Sequence, residues 1–377
     1  MDNIQYFNES TVNKVIFLAD IHFGLRANSI EWNNNVKDYF DSFFFPLLKK
    51  ETIDNNCIII IAGDYFDNRQ SIDINILNTA IDIMKKMMSV CPIYMIIGNH
   101  DIYRKSNTDI TSLKIFESFE HVHIVKNIAF LTLLNNIKFL LISWQGDIKK
   151  ETEIIQKYKT ECNSIILHTE LSGMTYDNGR NIVDGINTDV IGQHNIISGH
   201  IHTRQLKKTS DGVKLYLGSP FQSRRSDIDN ERGIYIFNIL QDKPEISFIP
   251  NTYSPKFLKV QYQYILNVKS SKINVEQELS KIFNNNYIDI IITAEQSKML
   301  NPTKLVDDLS IYSPRNIEIV LEKPISVNNI DHNSLNSEIT VMDAFNYSIH
   351  ELGLNTTDIS TLVSLNQTYI NQIENNL

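Results

Sequence analysis

The sequence predicts an α/β protein: a four-layer α/β/β/α sandwich, a smaller α+β domain after it, and a helical C-terminal tail. Three observations lead there. Apolar, strand-like runs at Val12 to Ala19, Cys57 to Ala62 and Ile93 to Ile97 alternate with segments of helical spacing, and each run stops at a polar cluster. Beyond His123 the pattern turns to β, with a two-residue hairpin turn at Asn135-Asn136. Between Pro250 and Pro255 the pattern breaks off, then resumes on a smaller scale.

In chain order, the first strand carries a Val-Ile-Phe-Leu-Ala core and ends at Asp20. Asn28 to Lys50 is helical by spacing, with Val36, Tyr39, Phe40, Phe43, Phe44, Leu47 and Leu48 on a broad apolar face. Pro46 is expected to kink it or end it early, because proline lacks the backbone N–H. Ile72 to Val90 repeats the helical spacing and Pro92 ends it. Strand, helix, strand, helix, strand implies right-handed crossovers between parallel strands, with functional groups at their carboxyl ends. A short helix near Thr111 to Phe119 follows. His123 to Leu133 and Ile137 to Trp144 flank the Asn-Asn turn, a polar helix spans Lys149 to Thr160, and Ser164 to Leu167 and Asn195 to Ser198 are further strands. Val213 to Leu217 and Gly233 to Ile239 complete a second sheet packed on the first, with helices outside.

The first domain is assigned to residues 1–250 and the second to 255–324. In the second, Lys256 to Val268, Tyr287 to Ala294 and Asn316 to Leu321 read as strands around helices at Asn274 to Phe283 and Pro302 to Leu309. Residues 325–377 hold a polar linker, Ser326 to Glu338, and helical stretches at Val341 to Leu352 and Asp358 to Ile373, too small for a core of their own. They read as a docking element, for a partner or for the body of the protein.

At 42% hydrophobic, 10% aromatic and 21% charged, the 377 residues support a sizeable core. Met1 to Ser10 lacks the basic-then-apolar pattern of a secretory signal, and no apolar run reaches membrane-spanning length. Cys57, Cys91 and Cys162 are widely spaced, so a cytoplasmic location without disulfides or a thiolate zinc site is expected. A net charge of −9 argues against a free-standing basic DNA clamp. It leaves room for a nucleic-acid enzyme whose carboxylates are neutralised by bound cations.

Five polar clusters carry the chemistry: Asp20-Ile-His22, Gly63-Asp64-Tyr-Phe-Asp67, Gly98-Asn99-His100-Asp101, His168 and Gly199-His200-Ile-His202. Taken singly each has a plain reading. Asp20 could cap a helix, Asp64 and Asp67 could shape a turn, and a lone His-x-His is often a surface pair. Five in order, each at the end of an apolar strand, make a mixed oxygen and nitrogen site that suits two divalent transition metals. A bridging carboxylate would hold such ions about 3.5 to 4 Å apart, where they activate water and clamp a phosphoryl group.

Asp-x-His, Gly-Asp-x-x-Asp, Gly-Asn-His-Asp, His and Gly-His-x-His in this order resemble the five motifs of the calcineurin-like metallophosphoesterases, over roughly Val12 to Asn238. Gly63-Asp64-Tyr65-Phe66-Asp67, Tyr216-Leu217-Gly218-Ser219-Pro220 and Glu231 to Phe237 further resemble the SbcD-type DNA repair nucleases, relatives of the MRE-eleven family. The module after Lys256 resembles their capping domain, and the size and Asn-rich C-terminus resemble phage-encoded members, which would place the protein in host cytoplasm.

The resemblance implies roles. Asp20, His22 and His202 would bind one metal, Asn99, His168 and His200 the other, and Asp64 would bridge. His100 would stabilise the phosphate or protonate the leaving 3′ oxygen, with Asp101 orienting its imidazole. Asp67 would assist catalysis or stabilise its turn. The implied protein is a Mn²⁺-dependent (or Mg²⁺-dependent) DNA exonuclease and endonuclease subunit acting in end processing, recombination and repair. It would work with an SbcC-type ATPase of the Rad-fifty kind and as a homodimer, paired through Ile30 to Phe45 or Asp73 to Met88, unless those faces pack on the sheet. Arg69, Arg104, Lys105, Arg204, Lys207, Lys208, Arg224 and Arg225 lie in loops near the motifs and are candidate phosphate contacts. A phosphodiesterase or phosphatase acting on a small molecule or protein, and a non-catalytic DNA-end scaffold, share most of these features.

Overall fold

The computed structural model describes residues 4–322, apart from 105–106, 188–190, 193, 210–211, 240–243 and 272–273. The strand Cys57–Ala62 is buried at every position, as is Lys14–Leu18. Burial on both faces is what makes these strands read as unbroken apolar runs. They lie at the middle of a six-stranded sheet ordered Glu245–Pro250, Gly233–Asn238, Lys14–Leu18, Cys57–Ala62, Ile93–Ile96, Val122–Val125. The last four are parallel, Gly233–Asn238 runs against them, and Glu245–Pro250 runs against Gly233–Asn238.

A seven-stranded sheet faces it, ordered Ile4–Asn8, Ile128–Thr132, Lys138–Ile142, Ser164–His168, Asn195–Gly199, Gly212–Tyr216, Gln205–Thr209. Side-chain alternation sorts the core into layers. Val15, Phe17, Ile58 and Ile60 meet Phe139, Leu141, Ile166 and Ile197 between the sheets. Ile16, Leu18, Ile59 and Ile61 pack outward on the helices Ile30–Tyr39 and Ile74–Met88. Leu140, Ile142, Ile165 and Leu167 pack on Ile148–Tyr158 on the other side. The order is helix, sheet, sheet, helix: the four-layer sandwich that the patterning predicts. The apolar faces proposed for pairing two copies are therefore spent in this core, through Val36, Tyr39, Phe40 and Phe44 on one helix and Ile76, Ala80, Ile83 and Met87 on the other.

Local details depart from the sequence reading for physical reasons. Pro46 does not stop its helix. A π-type turn at Phe40–Phe44 widens the coil, and Pro46 then sits in the first turn of Phe45–Glu51, where its missing N–H costs nothing. The run His123 to Leu133 splits at Lys126, because Val122–Val125 closes the first sheet and Ile128–Thr132 enters the second. Asn135 and Asn136 both have φ of 58°, as the hairpin joining Ile128–Thr132 to Lys138–Ile142 requires. Ser112–Phe116 is only a 3₁₀ turn, preceded by a small hairpin, Ile102–Arg104 with Asn107–Thr111. All three cysteines are free and buried.

Beyond the sandwich, Phe257–Gln261, Tyr287–Ile292 and Asn316–Leu321 form a parallel sheet with its own core of Val260, Ile265, Leu279, Phe283, Ile288, Ile290 and Leu309. The strand expected to run to Val268 stops at Gln261, and Tyr262–Ser270 is helical, burying Ile265 and Val268 three residues apart. This module stacks Phe257 and Tyr287 against Trp32, with ring centroids 6.1 and 5.7 Å away and planes 9° apart. Arg225 reaches across to Asp289, its Nε 2.9 and 3.1 Å from the two oxygens, and to Glu318. The linker at Ser326 to Glu338 and the helical stretches beyond it lie outside the described residues.

Trp32→Ala should cost about 3–5 kcal/mol of stability, as large aromatic deletions do, and should loosen the module. Denaturant unfolding and limited proteolysis check this, with new cleavage expected in residues 250–256. An unchanged digestion pattern would show that the aromatic stack does not hold the module.

Candidate metal centre

The carboxyl ends of Lys14–Leu18, Cys57–Ala62 and Ile93–Ile96 in one sheet meet those of Ser164–His168 and Asn195–Gly199 in the other. The chain then turns sharply at each end. Asp20, His22, Asp64 and His200 have φ of 52°, 53°, 54° and 83°, a left-handed region that costs non-glycine residues on the order of 1 kcal/mol or more each. Gly98 has to lack a side chain, since a Cβ there would collide with the Asp64 carboxylate and backbone nitrogen.

The turns bring together all ten residues singled out in the sequence. Donor atoms of Asp20, His22 and His202 lie within 4.8 Å of one another, and so do those of Asp64, His168 and His200. Asp64 sits between the two groups: its Oδ2 is 3.1 Å from His168 Nε2 and 3.8 Å from His22 Nε2. Asn99 Oδ1 lies 3.0 Å from His168 Nε2 and 2.8 Å from His200 Nδ1. Asp20 Oδ1 accepts the His200 backbone N–H at 2.9 Å.

Outer contacts set which imidazole nitrogen faces inward. His168 Nδ1 donates to the Ala62 carbonyl at 2.8 Å, which leaves Nε2 as the donor atom for an ion. His22 Nδ1 lies 3.3 Å from Asp67 Oδ1, off the line of a hydrogen bond but close enough to hold the ring with Nε2 inward. Asp67 thus supports a ring and also, through its carbonyl, accepts His100 Nδ1 at 2.7 Å. This corrects the role assigned to Asp101. Its oxygens do not reach His100; they accept backbone N–H from Gly98 and Asp64 at 2.9 Å each, Tyr65 at 3.0 Å and Phe66 at 3.1 Å.

The residues fit divalent ions. Asp20 Oδ2 is buried without a hydrogen-bond partner, and the Nε2 atoms of His22 and His202 face each other at 3.0 Å, an arrangement a cation between them and Asp20 would satisfy. The electrostatics agree. Burial raises Asp20 to about 6. Burial alone would lower His168, but Asp64 outweighs it and holds the imidazolium up to about 10, while His168 keeps Asp64 well below the usual carboxylate range against burial. Burial and His22 push His202 well below its ordinary value. Burial and Asp64 raise Asp101 to about 7, although all four of its partners are donors, which only the ionised carboxylate accommodates.

Three groups at the centre, Glu170, Arg224 and Asp177, have contacts there that the sequence reading did not assign. Glu170 Oε1 is 3.6 Å from His200 Nε2, and Arg224 donates to His202 Nδ1 at 3.0 Å while paired with Asp177 at 2.5 Å. Glu170, two residues past His168, was the one readable from the strand-end rule. Of the basic residues proposed for phosphate contact, Arg204 is paired with Glu231 and Arg225 with Asp289 and Glu318, so their charges are committed within the protein. Lys105 lies outside the described residues.

The model of the family described as calcineurin-like phosphoesterase matches residues 13–204, more than half of the chain and all five clusters. The chain belongs to the calcineurin-like phosphoesterases. Members are metal-dependent hydrolases, in keeping with the grouped donors. Among curated proteins, 244L of Invertebrate iridescent virus 6, a phosphoesterase by inference, is 26% identical over 268 residues, covering 68% of this chain and 86% of its own. The inferred phosphoesterase 078R of Invertebrate iridescent virus 3 is 25% identical over 220 residues, 55% of this chain and 57% of its own. The DNA double-strand break repair protein Mre11 of Methanococcus maripaludis is 25% identical over 250 residues, 60% of this chain and 63% of its own. No helix among the described residues is long and apolar enough to cross a membrane.

Because His168 is held protonated up to about 10, it is imidazolium at pH 7 in the ion-free protein and must lose its proton to ligate. Loading should release about one proton, and affinity should rise with pH towards that value. Calorimetric titration with Mn²⁺ in two buffers of different ionisation enthalpy measures the release. Equal heats in both would contradict it.

Proposed function

We propose that the protein is a two-metal DNA nuclease acting in DNA end processing, recombination and repair, with Mn²⁺ as its ion. The observation that carries the reading is the placement of His100 beside the grouped donor atoms of Asp20, His22, Asp64, His168, His200 and His202. Its Nδ1 is tied to the Asp67 carbonyl at 2.7 Å, so Nε2 is left for the substrate. A purely structural ion site needs no such group. The choice of DNA rests on the similarity to Mre11 and on the α+β module docked through Trp32 and Arg225.

Asp20, His22 and His202 would hold one ion, Asn99, His168 and His200 the other, with Asp64 between them. The bound ions would supply charge neutralisation for the phosphate and acidify a water. A water that has given one proton to solvent would bond to phosphorus as the P–O3′ bond breaks, and His100 Nε2 would give the departing oxygen its proton. Burial lowers His100, with Asp64 pulling the other way, and the phosphodiester's negative charge would favour the imidazolium the step needs. Asp67 positions both His22 and His100, and Asp101 holds the loop that carries Asp64.

Partners follow from the same reading. An SbcC-type ATPase of the Rad-fifty kind would supply the basic DNA path that a chain of net charge −9 lacks. A second copy would pair through what the core leaves outside, the exposed Ile30 and Ile74 at the starts of two helices.

The experiment is digestion of linear duplex and single-stranded DNA with Mn²⁺, beside Asp64→Ala. Cleavage by the parent and none by the variant is the expected result. Hydrolysis of a generic phosphodiester without DNA cleavage, alone or with the ATPase, would instead favour a small-molecule phosphodiesterase. His100→Ala should lower kcat on DNA by about 10²–10⁴-fold yet spare a nitrophenyl diester, whose leaving group needs no proton. Full DNA cleavage by a metal-loaded His100→Ala would remove the assigned acid.

A further inference from the structure

A groove of about 260 Å³ opens beside the centre, between the loop after Asp67 and the hairpin after Asp101. Arg69, Gln70 and Ile72 form one wall and Tyr103, Ile110 and Thr111 the other. Both walls are anchored at the site. Asn68 follows Asp67, whose carbonyl holds His100, and Ser112 donates its backbone N–H to the Asp101 carbonyl at 2.8 Å. The groove therefore starts on the His100 side of the ligand set, where the leaving group departs.

Its lining is unusual for plain solvent-facing loops. Tyr103 is 38% exposed and Ile110 54%, two apolar side chains left outside the core on one short hairpin. Arg69 and Arg104 pair with no carboxylate among the described residues, the Arg104 guanidinium lies 5.2 Å from the Tyr103 ring centroid, and Arg69 is near enough to weigh on His100. An exposed aromatic beside one unneutralised arginine, with another lining the same groove, is the composition that takes single-stranded nucleic acid, base on ring and phosphate on guanidinium. The groove is smaller than the about 300–1,000 Å³ of pockets that enclose a whole small ligand, as suits one segment of a longer strand.

We infer that this groove is a nucleotide subsite: it receives the nucleotide on the leaving-group side of the scissile phosphate, with its base against Tyr103 and Ile110 and its phosphate at Arg69. The inference rests on the nuclease reading above. The subsite makes the enzyme select a single-stranded segment at the cut, because a base stacked between neighbours inside a duplex cannot present its face to Tyr103.

The test compares parent, Tyr103→Ala and Tyr103→Phe, with Mn²⁺, on a single-stranded oligonucleotide and on bis(4-nitrophenyl) phosphate. Tyr103→Ala should raise KM for the oligonucleotide about tenfold with kcat little changed. Tyr103→Phe, which keeps the ring, should match the parent, and all three should hydrolyse the nitrophenyl diester equally. An unchanged oligonucleotide KM in Tyr103→Ala overturns the subsite while leaving the nuclease reading standing. Equal losses on both substrates also overturn it, since Tyr103 would then be supporting the centre itself. A parent that hydrolyses the small diester but no oligonucleotide overturns the nuclease reading, and the subsite falls with it.

Discussion

Asp101 accepts four backbone N–H groups and touches none of the grouped donor atoms, yet the geometry of the centre depends on it. Its oxygens tie Gly98, at the end of one strand, to Asp64, Tyr65 and Phe66, which follow the neighbouring strand. That clamp holds Asp64 in its left-handed turn and aims its carboxylate between His22 and His168. The arrangement buries Asp20, Asp64 and Asp101 close together, each at most 2% exposed. Buried charge of one sign needs a counter-charge. In the ion-free protein the His168 imidazolium supplies part of it, and divalent cations would supply the rest. The burial that makes these carboxylates costly on their own is therefore what would draw cations to them.

Strain enters through the same turns. Four of the grouped residues lie at positive φ, and such conformations persist only where the surroundings over-determine them. Here the surroundings are two sheets packed face to face, whose parallel strands are buried throughout and end together. The sandwich fixes where each turn begins, and close backbone contacts such as Gly98 against Asp64 fix how it ends. Loops alone would relax.

The sequence made the layers and the ten grouped residues legible for one reason: strands buried on both faces read as apolar runs, so polar residues at their ends stand out. Hydrogen bonds to backbone leave no such mark. Asp101 reads as a member of a catalytic cluster, but its partners are amide groups, which every residue carries. The acceptor for His100 is the Asp67 carbonyl, invisible for the same reason. The basic residues failed differently. Arg225 looks free in a loop, but its partner Asp289 lies in another module, and only the tertiary fold brings the two together. The split of His123 to Leu133 between sheets was hidden because both halves are equally apolar.

Adjacent arginines connect the module to the centre. Arg225 grips Asp289 and Glu318, while Arg224, one residue before, donates to His202 Nδ1 and pairs with Asp177. Asp227 holds the loop between them, accepting the backbone N–H of Ser223 at 2.8 Å and of Arg224 at 3.2 Å. A His202 that offers Nε2 to an ion must carry its proton on Nδ1, where it can no longer accept from Arg224. With an ion on Nε2, Arg224 would be left to Asp177 and Asp227, both already within its reach. Since Arg225 anchors the next residue, any movement of Arg224 is limited by how firmly the module is docked. One short loop thus carries both the module's anchor, Arg225, and the contact to His202, Arg224.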